Sequence, residues 1–220
     1  MKIFATSDIH GNKQIVSNLV TAYENSDADL LLICGDIGGK SHRTLTIEEF
    51  GIKQREDYDY LTSELRQCTK PFYCLLGNDD WFDVDDDYCL STGQTVGSIV
   101  AFDWVNFTPF NTNREANENK MGYELGKLNI TTETLVMAHC PPYMAQDKIL
   151  SGKHVGSKSV KKYIESNQPK IWLCGHIHED FGISKLGNTL VVNCACDHLK
   201  DRLRGVVVDT ETMDYNFIGL

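Results

Sequence analysis

Five short apolar runs in this chain each end in a residue able to bind a metal. Lys2-Ile-Phe-Ala-Thr-Ser7 leads into Asp8-Ile-His10, Asp29-Leu-Leu-Leu-Ile-Cys34 into Gly35-Asp36, and Pro71-Phe-Tyr-Cys-Leu-Leu76 into Gly77-Asn78-Asp79-Asp80. Thr134-Leu-Val-Met-Ala138 leads into His139-Cys-Pro-Pro142, and Ile171-Trp-Leu-Cys174 into Gly175-His-Ile-His178. Runs of this length, closed by glycine or a polar cluster, have the character of buried strands. Asp, Asn and His are the side chains that build dinuclear metal centres. Four of the seven histidines fall at these ends, a placement that chance would rarely give. An extended backbone at His176 and His178 puts both imidazoles on one side, and a turn leaves both on one loop.

The chain is 220 residues long, suited to one large α/β domain over residues 1–220, and its 41% hydrophobic content supports a substantial core. A net charge of −10 argues against a surface that tracks long nucleic acids. It leaves room for an anionic substrate, because two divalent cations would reverse the local sign. No apolar run approaches the ~18 residues of a membrane span. The first strand leads directly into Asp8, with no leader-like series of charged, apolar and cleavage regions before it. The eight cysteines form no zinc-ribbon pattern, and Cys34, Cys74 and Cys174 lie inside apolar runs. Reduced structural thiols in a cytoplasmic protein are the expectation.

Apolar residues at Ile15, Val16, Leu19, Val20 and Tyr23 predict a helix over 12–24, which makes the opening a β-motif-α unit. Residues 29–36 are expected to form the second strand. Residues 40–56 read as an irregular insertion, followed by a helix near 57–68. The acidic stretch 81–87 lacks the glycine and terminal glutamate of a calcium loop and reads as a solvated loop. Strand is expected over 95–105, loop over 108–121 and helix over 155–167. Strands are expected again at 181–186, 189–193 and 203–209, with a hairpin turn at Leu186-Gly-Asn-Thr189.

D-x-H, G-D, G-N-x-D, H-x-P-P and G-H-x-H, in this order from Asp8 to His178, resemble the calcineurin-like metallophosphoesterase superfamily. The stretches His139–Tyr143, Gly152–Ser157, Cys174–Glu179 and Asn188–Asn193 more narrowly resemble the Icc-related predicted phosphoesterases. The resemblance implies a four-layer αββα sandwich with strand-end loops forming the site. It implies two divalent ions, manganese first among Mn, Fe, Zn, Ni and Co. Asp8, His10, Asp36 and His178 would hold the first ion. Asp36, Asn78, His139 and His176 would hold the second, with Asp36 as the bridge.

Many relatives carry a histidine after the motif asparagine, where it is taken to protonate the leaving group or orient phosphate. This chain has Asp79 there. An aspartate near two cations should be ionised and a poor proton donor. His42, His154 and His198 are the spare histidines, and His154 is the first choice for an acid because of its Gly-Lys-His-Val-Gly-Ser setting. Asp79, His139 and His154 are thus the candidates for catalytic roles. The expected function is hydrolysis of a small phosphodiester or phosphomonoester by in-line attack of a metal-bound hydroxide. A protein-binding scaffold on the same fold, or a nuclease, is the alternative. Loops 40–56, 108–121 and 143–158 are expected to shape the pocket.

Overall fold

The computed structural model describes residues 1–40 and 45–219, so the spare histidine His42 lies outside the described residues. The chain opens with β1 (Lys2–Thr6), α1 (Lys13–Asn25), β2 (Leu30–Cys34), α2 (Ile47–Leu65) and β3 (Phe72–Leu75). Next come three short strands, β4 (Thr95–Val96), β5 (Ile99–Phe102) and β6 (Val105–Asn106), and then β7 (Glu115–Ala116) and α3 (Glu118–Leu125). The remainder is β8 (Leu135–Ala138), α4 (Lys158–Asn167), β9 (Ile171–Cys174), β10 (Gly182–Leu186), β11 (Thr189–Asn193), β12 (Gly205–Asp209) and β13 (Tyr215–Ile218). One sheet has the order β13-β12-β1-β2-β3, the second β10-β11-β9-β8-β5-β4, and β6 pairs with β7 alone.

Alternation along the strands builds four layers. In β1, Ile3 and Ala5 face the second sheet, whereas Phe4 faces outward toward Ile15, Leu19 and Tyr23 of α1. In β9, Ile171 and Leu173 face the first sheet, whereas Trp172 and Cys174 face Val160 and Ile164 of α4. Successive side chains of a strand point to opposite faces, so a strand covered on both sides reads as a continuous apolar run. The result is helices α1 and α2, two sheets, then helices α3 and α4: an α/β fold of the αββα type.

α1 starts one residue later than its apolar stripe suggests, because Asn12 is its cap and accepts from the amides of Gln14 and Ile15. The expected irregular insertion at 40–56 is corrected over its second half. α2 begins at Ile47 behind a reciprocal capping box of Thr46 and Glu49. The polarity of that stretch belongs to an exposed outer face, and Gly51 sits where the helix passes the Trp81 carbonyl. An added Cβ would lie 2.5 Å from that oxygen. The strand expected over 95–105 is broken by a turn at Gly97 (φ 58°) into β4 and β5, with β6 after it. The stretch 108–121, expected as loop, contains β7 and the first turn of α3, whose cap is Asn117. β13 went unforeseen because its residues are mostly exposed and carry no apolar run. The acidic stretch is partly structural: Asp86 accepts from the Tyr58 hydroxyl at 2.7 Å, and Asp83 pairs with Arg114 at 2.9 Å. All eight cysteines are free thiols.

Candidate metal centre

The loops after β1 and β2 are stitched together before any side chain is considered. The amides of Asp8, His10 and Gly11 donate to the carbonyls of Gly35, Asp36 and Ile37 at 3.0, 3.0 and 2.7 Å. Gly175 N donates to the His139 carbonyl, joining the loops after β8 and β9. A parallel bridge between Ser7 and Ala195, with Cys196 N donating to Ser7 O at 2.9 Å, then links the two sheets at this end. Asp8, His10, Asp36 and His176 all have left-handed backbones, at φ 60°, 50°, 53° and 68°. Such conformations are costly outside glycine and cluster at functional sites.

These loops bring the predicted residues into two overlapping groups. Asp8, His10 and Asp36 can each offer one donor atom within 4.8 Å of the others, and so can Asp36, His139 and His176. Asp36 belongs to both. His178 Nε2 lies 2.8 Å from Asp8 Oδ1, and His139 Nε2 lies 3.4 Å from Asp36 Oδ2. A third group, His10, His178 and His198, adjoins the first.

Outer contacts aim these side chains. His139 Nδ1–H donates to the Cys34 carbonyl at 2.6 Å, which fixes the tautomer and turns Nε2 toward Asp36. Asn78 Nδ2 donates to Thr112 Oγ1 at 2.7 Å, which leaves Asn78 Oδ1 buried and without a partner. Asp36 Oδ1 accepts from Asp79 N at 2.9 Å, and Asp8 Oδ2 from His176 N at 3.0 Å. Asp80, fully buried, accepts from the amides of Ile37, Gly38 and Gly77, fastening the second motif to the third. Gln54 of α2 adds a further tie, donating to the carbonyls of Gly39 and Asp79 and accepting from Trp81 N.

Charge is divided unevenly. Burial opposes ionisation of Asp8 and Asp36, but the neighbouring imidazoles outweigh it and hold both carboxyls below their ordinary range. Burial would lower His139, yet the charge of Asp36, aided by Asp8 and the Cys34 carbonyl, raises it to about 10. Burial presses His10 and His176 down to about 4. It presses His198 to about 3, with His10 adding to the effect. Asp79 is half-buried and pushed up to about 6 by desolvation and then by the charge of Asp36.

Among the described residues, both ring nitrogens of His10, Nε2 of His139 and Oδ1 of Asn78 are buried without hydrogen-bond partners. Buried polar atoms normally have partners. Of these orphans, His10 Nε2 lies 3.8 Å and His139 Nε2 3.4 Å from Asp36 Oδ2, a donor set that fits divalent cations of borderline character.

His154 is placed elsewhere. Its Nδ1 is 2.5 Å from Asp147 Oδ1, and its ring packs edge-on against Tyr143. It lines a cavity of about 800 Å³ together with Phe107, Phe110, Tyr143, Lys158 and His176. His176 is where this cavity meets the acid–imidazole groups. Thr112 and Gln54 carry no sequence signal for their roles, whereas Asp80 is legible as the last residue of G-N-x-D.

The model of the calcineurin-like phosphoesterase family matches residues 1–180. The chain belongs to this family and is by class a metal-dependent phosphohydrolase. It is 33% identical over 209 residues to an uncharacterized protein of Methanocaldococcus jannaschii, covering 88% of this chain and 87% of that one. The fold is similar to that of the protein TT1561 of Thermus thermophilus, at 14% identity and TM-score 0.66, covering 99% of this chain and 98% of the other. It is also similar to a structure of a novel archaeal phosphodiesterase, at 17% identity and TM-score 0.50 with full coverage of both chains. Among the described residues, no helix is long and apolar enough to cross a membrane.

Proposed function

We propose that this protein hydrolyses a small phosphodiester or phosphomonoester at a two-metal centre. Asp8, His10, Asp36 and His178 would hold the first ion, and Asp36, Asn78, His139 and His176 the second. The observation that carries the reading is the position of Asp36 in both donor groups, with orphaned donor atoms on each side. Two divalent ions there supply Lewis-acid polarisation of the phosphoryl group and an activated water.

The chain's own residues do the rest. The Cys34 carbonyl holds His139 in the tautomer that presents Nε2, and Thr112 holds Asn78 with its oxygen inward. Asp80 and Gln54 keep the second and third motif loops in register, so Asp36 and Asn78 stay in fixed relation. Asp79 has its backbone amide on Asp36 and its side chain half-buried beside it. It is a poor match for the histidine of many relatives, because nearby cations favour the ionised carboxylate. The cavity beside His176 is of a size that takes a small organic phosphoester, and Phe107 and Phe110 at its wall would meet the organic group.

Manganese is our first choice of metal, since mixed carboxylate, amide and imidazole donors suit it. β12 and β13 lie beyond residue 180 yet complete the first sheet, which supports one domain over the whole chain. Eight free thiols fit a reducing, cytoplasmic setting. The test is metal analysis of purified protein followed by a screen of aryl phosphodiesters, cyclic nucleotides and monoesters. Two ions per chain and activity abolished by chelation are expected. Activity undiminished after verified metal removal would refute the mechanism.

A further inference from the structure

His198 lies outside every motif of the sequence, in a short turn after β11, yet it reaches the centre. Its ring is 4.3 Å from that of His10 and 4.6 Å from that of His178, centroid to centroid. One nitrogen from each of the three imidazoles lies within 4.8 Å of the others. Both nitrogens of His198 are buried with no hydrogen-bond partner among the described residues, as are both nitrogens of His10. Leaving several buried polar atoms unpaired is expensive, and the tilted, edge-on packing of the rings does nothing to satisfy their lone pairs. A cation among the three rings would take one nitrogen from each, satisfying one of the two on His10 and on His198.

The turn is built to hold that side chain in place. Asp197 and Arg202 exchange both backbone hydrogen bonds at 3.1 Å and close the loop at its base. Asp201, with φ 51°, ends the turn, and its side chain accepts from Asn12 Nδ2 at 2.6 Å. Asn12 is the cap of α1, two residues after His10, so the His198 turn is docked on the same loop that presents His10. Arg204 just beyond donates to the His178 carbonyl at 2.9 Å. The same short segment thus fixes three imidazoles relative to one another.

We propose that His198 is a fifth protein ligand of the first metal position, beside Asp8, His10, Asp36 and His178. This rests on the two-metal reading for the placement of the first ion. Three imidazoles make that position richer in nitrogen than the second, which has two imidazoles, a shared carboxylate and a neutral amide. It therefore binds borderline transition metals more tightly and discriminates more strongly against magnesium and calcium. Loading is ordered, with the first position filling before the second.

The experiment titrates the metal-free full chain with Co²⁺ against a competing chelator, for the unmodified protein, His198→Ala, His198→Cys and His176→Ala. Visible absorption and the number of paramagnetically shifted imidazole N–H resonances are read at each step. In His198→Ala the tighter step should weaken by at least about tenfold and lose one shifted imidazole, while the weaker step stays unchanged. His176→Ala should do the reverse. In His198→Cys a thiolate-to-cobalt charge-transfer band should appear with the tighter step, a positive signal that loss of folding cannot produce. A tighter step and imidazole count unchanged in His198→Ala would overturn the proposal, whether or not two ions bind. A single step in the unmodified protein that still weakens in His198→Ala would support it while refuting the two-metal reading.

Discussion

Asn78 Nδ2 donates to the Thr112 hydroxyl at 2.7 Å, and that hydroxyl donates in turn to Glu115 Oε1 at 2.5 Å. Glu115 thereby commits the hydroxyl proton, so Thr112 is left only to accept. The Asn78 amide is then fixed with its nitrogen on Thr112 and its oxygen buried and unpartnered.

Removing that lock should allow the amide to turn over. In Thr112→Val the affinity of the second metal position should fall about 10- to 100-fold, the usual cost of losing a contact behind a ligand. Thr112→Ser should retain near-normal affinity. Chelator competition on the purified variants checks both, and equal affinity in all three proteins would contradict the lock.

Asp36→Asn should hurt more than Asn78→Ala. Asp36 alone belongs to both donor groups, and the asparagine variant removes the charge that two cations would share. Asn78 offers one neutral oxygen to one position. Metal stoichiometry and kcat are the readouts, and full two-ion occupancy with near-normal turnover in Asp36→Asn would count against the bridge.

Metal uptake should release protons. His139 sits at about 10 in the metal-free protein, so it is protonated at pH 7, and a ligand must shed that proton. His10 and His176, near 4, are already neutral there and release none. About one proton per chain or more should appear on loading near pH 8, with apparent affinity rising as pH approaches 10. The stability sign is opposite. A folded pKa above the unfolded value of ~6.5 stabilises the metal-free fold fully below that pH and ceases to do so by about 10. Calorimetry in buffers of differing ionisation enthalpy measures the protons, and thermal unfolding of metal-free protein measures the second effect.

The leaving group should feel the absence of a good acid at position 79. General acid catalysis typically contributes ~10²–10⁴-fold. Rates should therefore fall steeply as leaving-group pKa rises, with aryl esters cleaved much faster than alkyl esters. Asp79→His should flatten the slope if the new imidazole reaches the leaving oxygen, and Asp79→Ala should leave it steep. A shallow slope in the unmodified protein would reveal an acid already present, and His154→Ala, from the cavity wall, would then be the variant to compare.

The site was legible wherever a ligand-type residue closed a buried strand. Both the apolar run and the polar stop are local, and every predicted motif lies at one end of the sandwich. What stayed hidden depends on contacts between distant segments. Gly77 reads as a turn residue, but the demand on it is steric: an added Cβ would lie 2.2 Å from Asp36 Oδ1. His198 carried no motif, and only the Ser7–Ala195 bridge and the Asn12–Asp201 contact show why it counts. Among the spare histidines the sequence favoured His154, which the fold directs to Asp147 and the cavity wall instead of the donor groups. The α2 helix was hidden by its own exposed face, although its capping pair Thr46 and Glu49 was visible as a local signal.

The left-handed backbones at Asp8, His10, Asp36 and His176 set the chemistry of this protein against its durability. Each costs about 1 kcal/mol or more relative to a residue free of the clash, and glycine would relieve all four. At His10, whose buried ring nitrogens have no partner, selection for heat resistance alone would favour glycine, whereas Asp8 and Asp36 are retained by their own hydrogen bonds and ion pairs. Hardiness acquired in that way would be a mark of a disabled enzyme, and activity has to be selected alongside stability for His10 to persist.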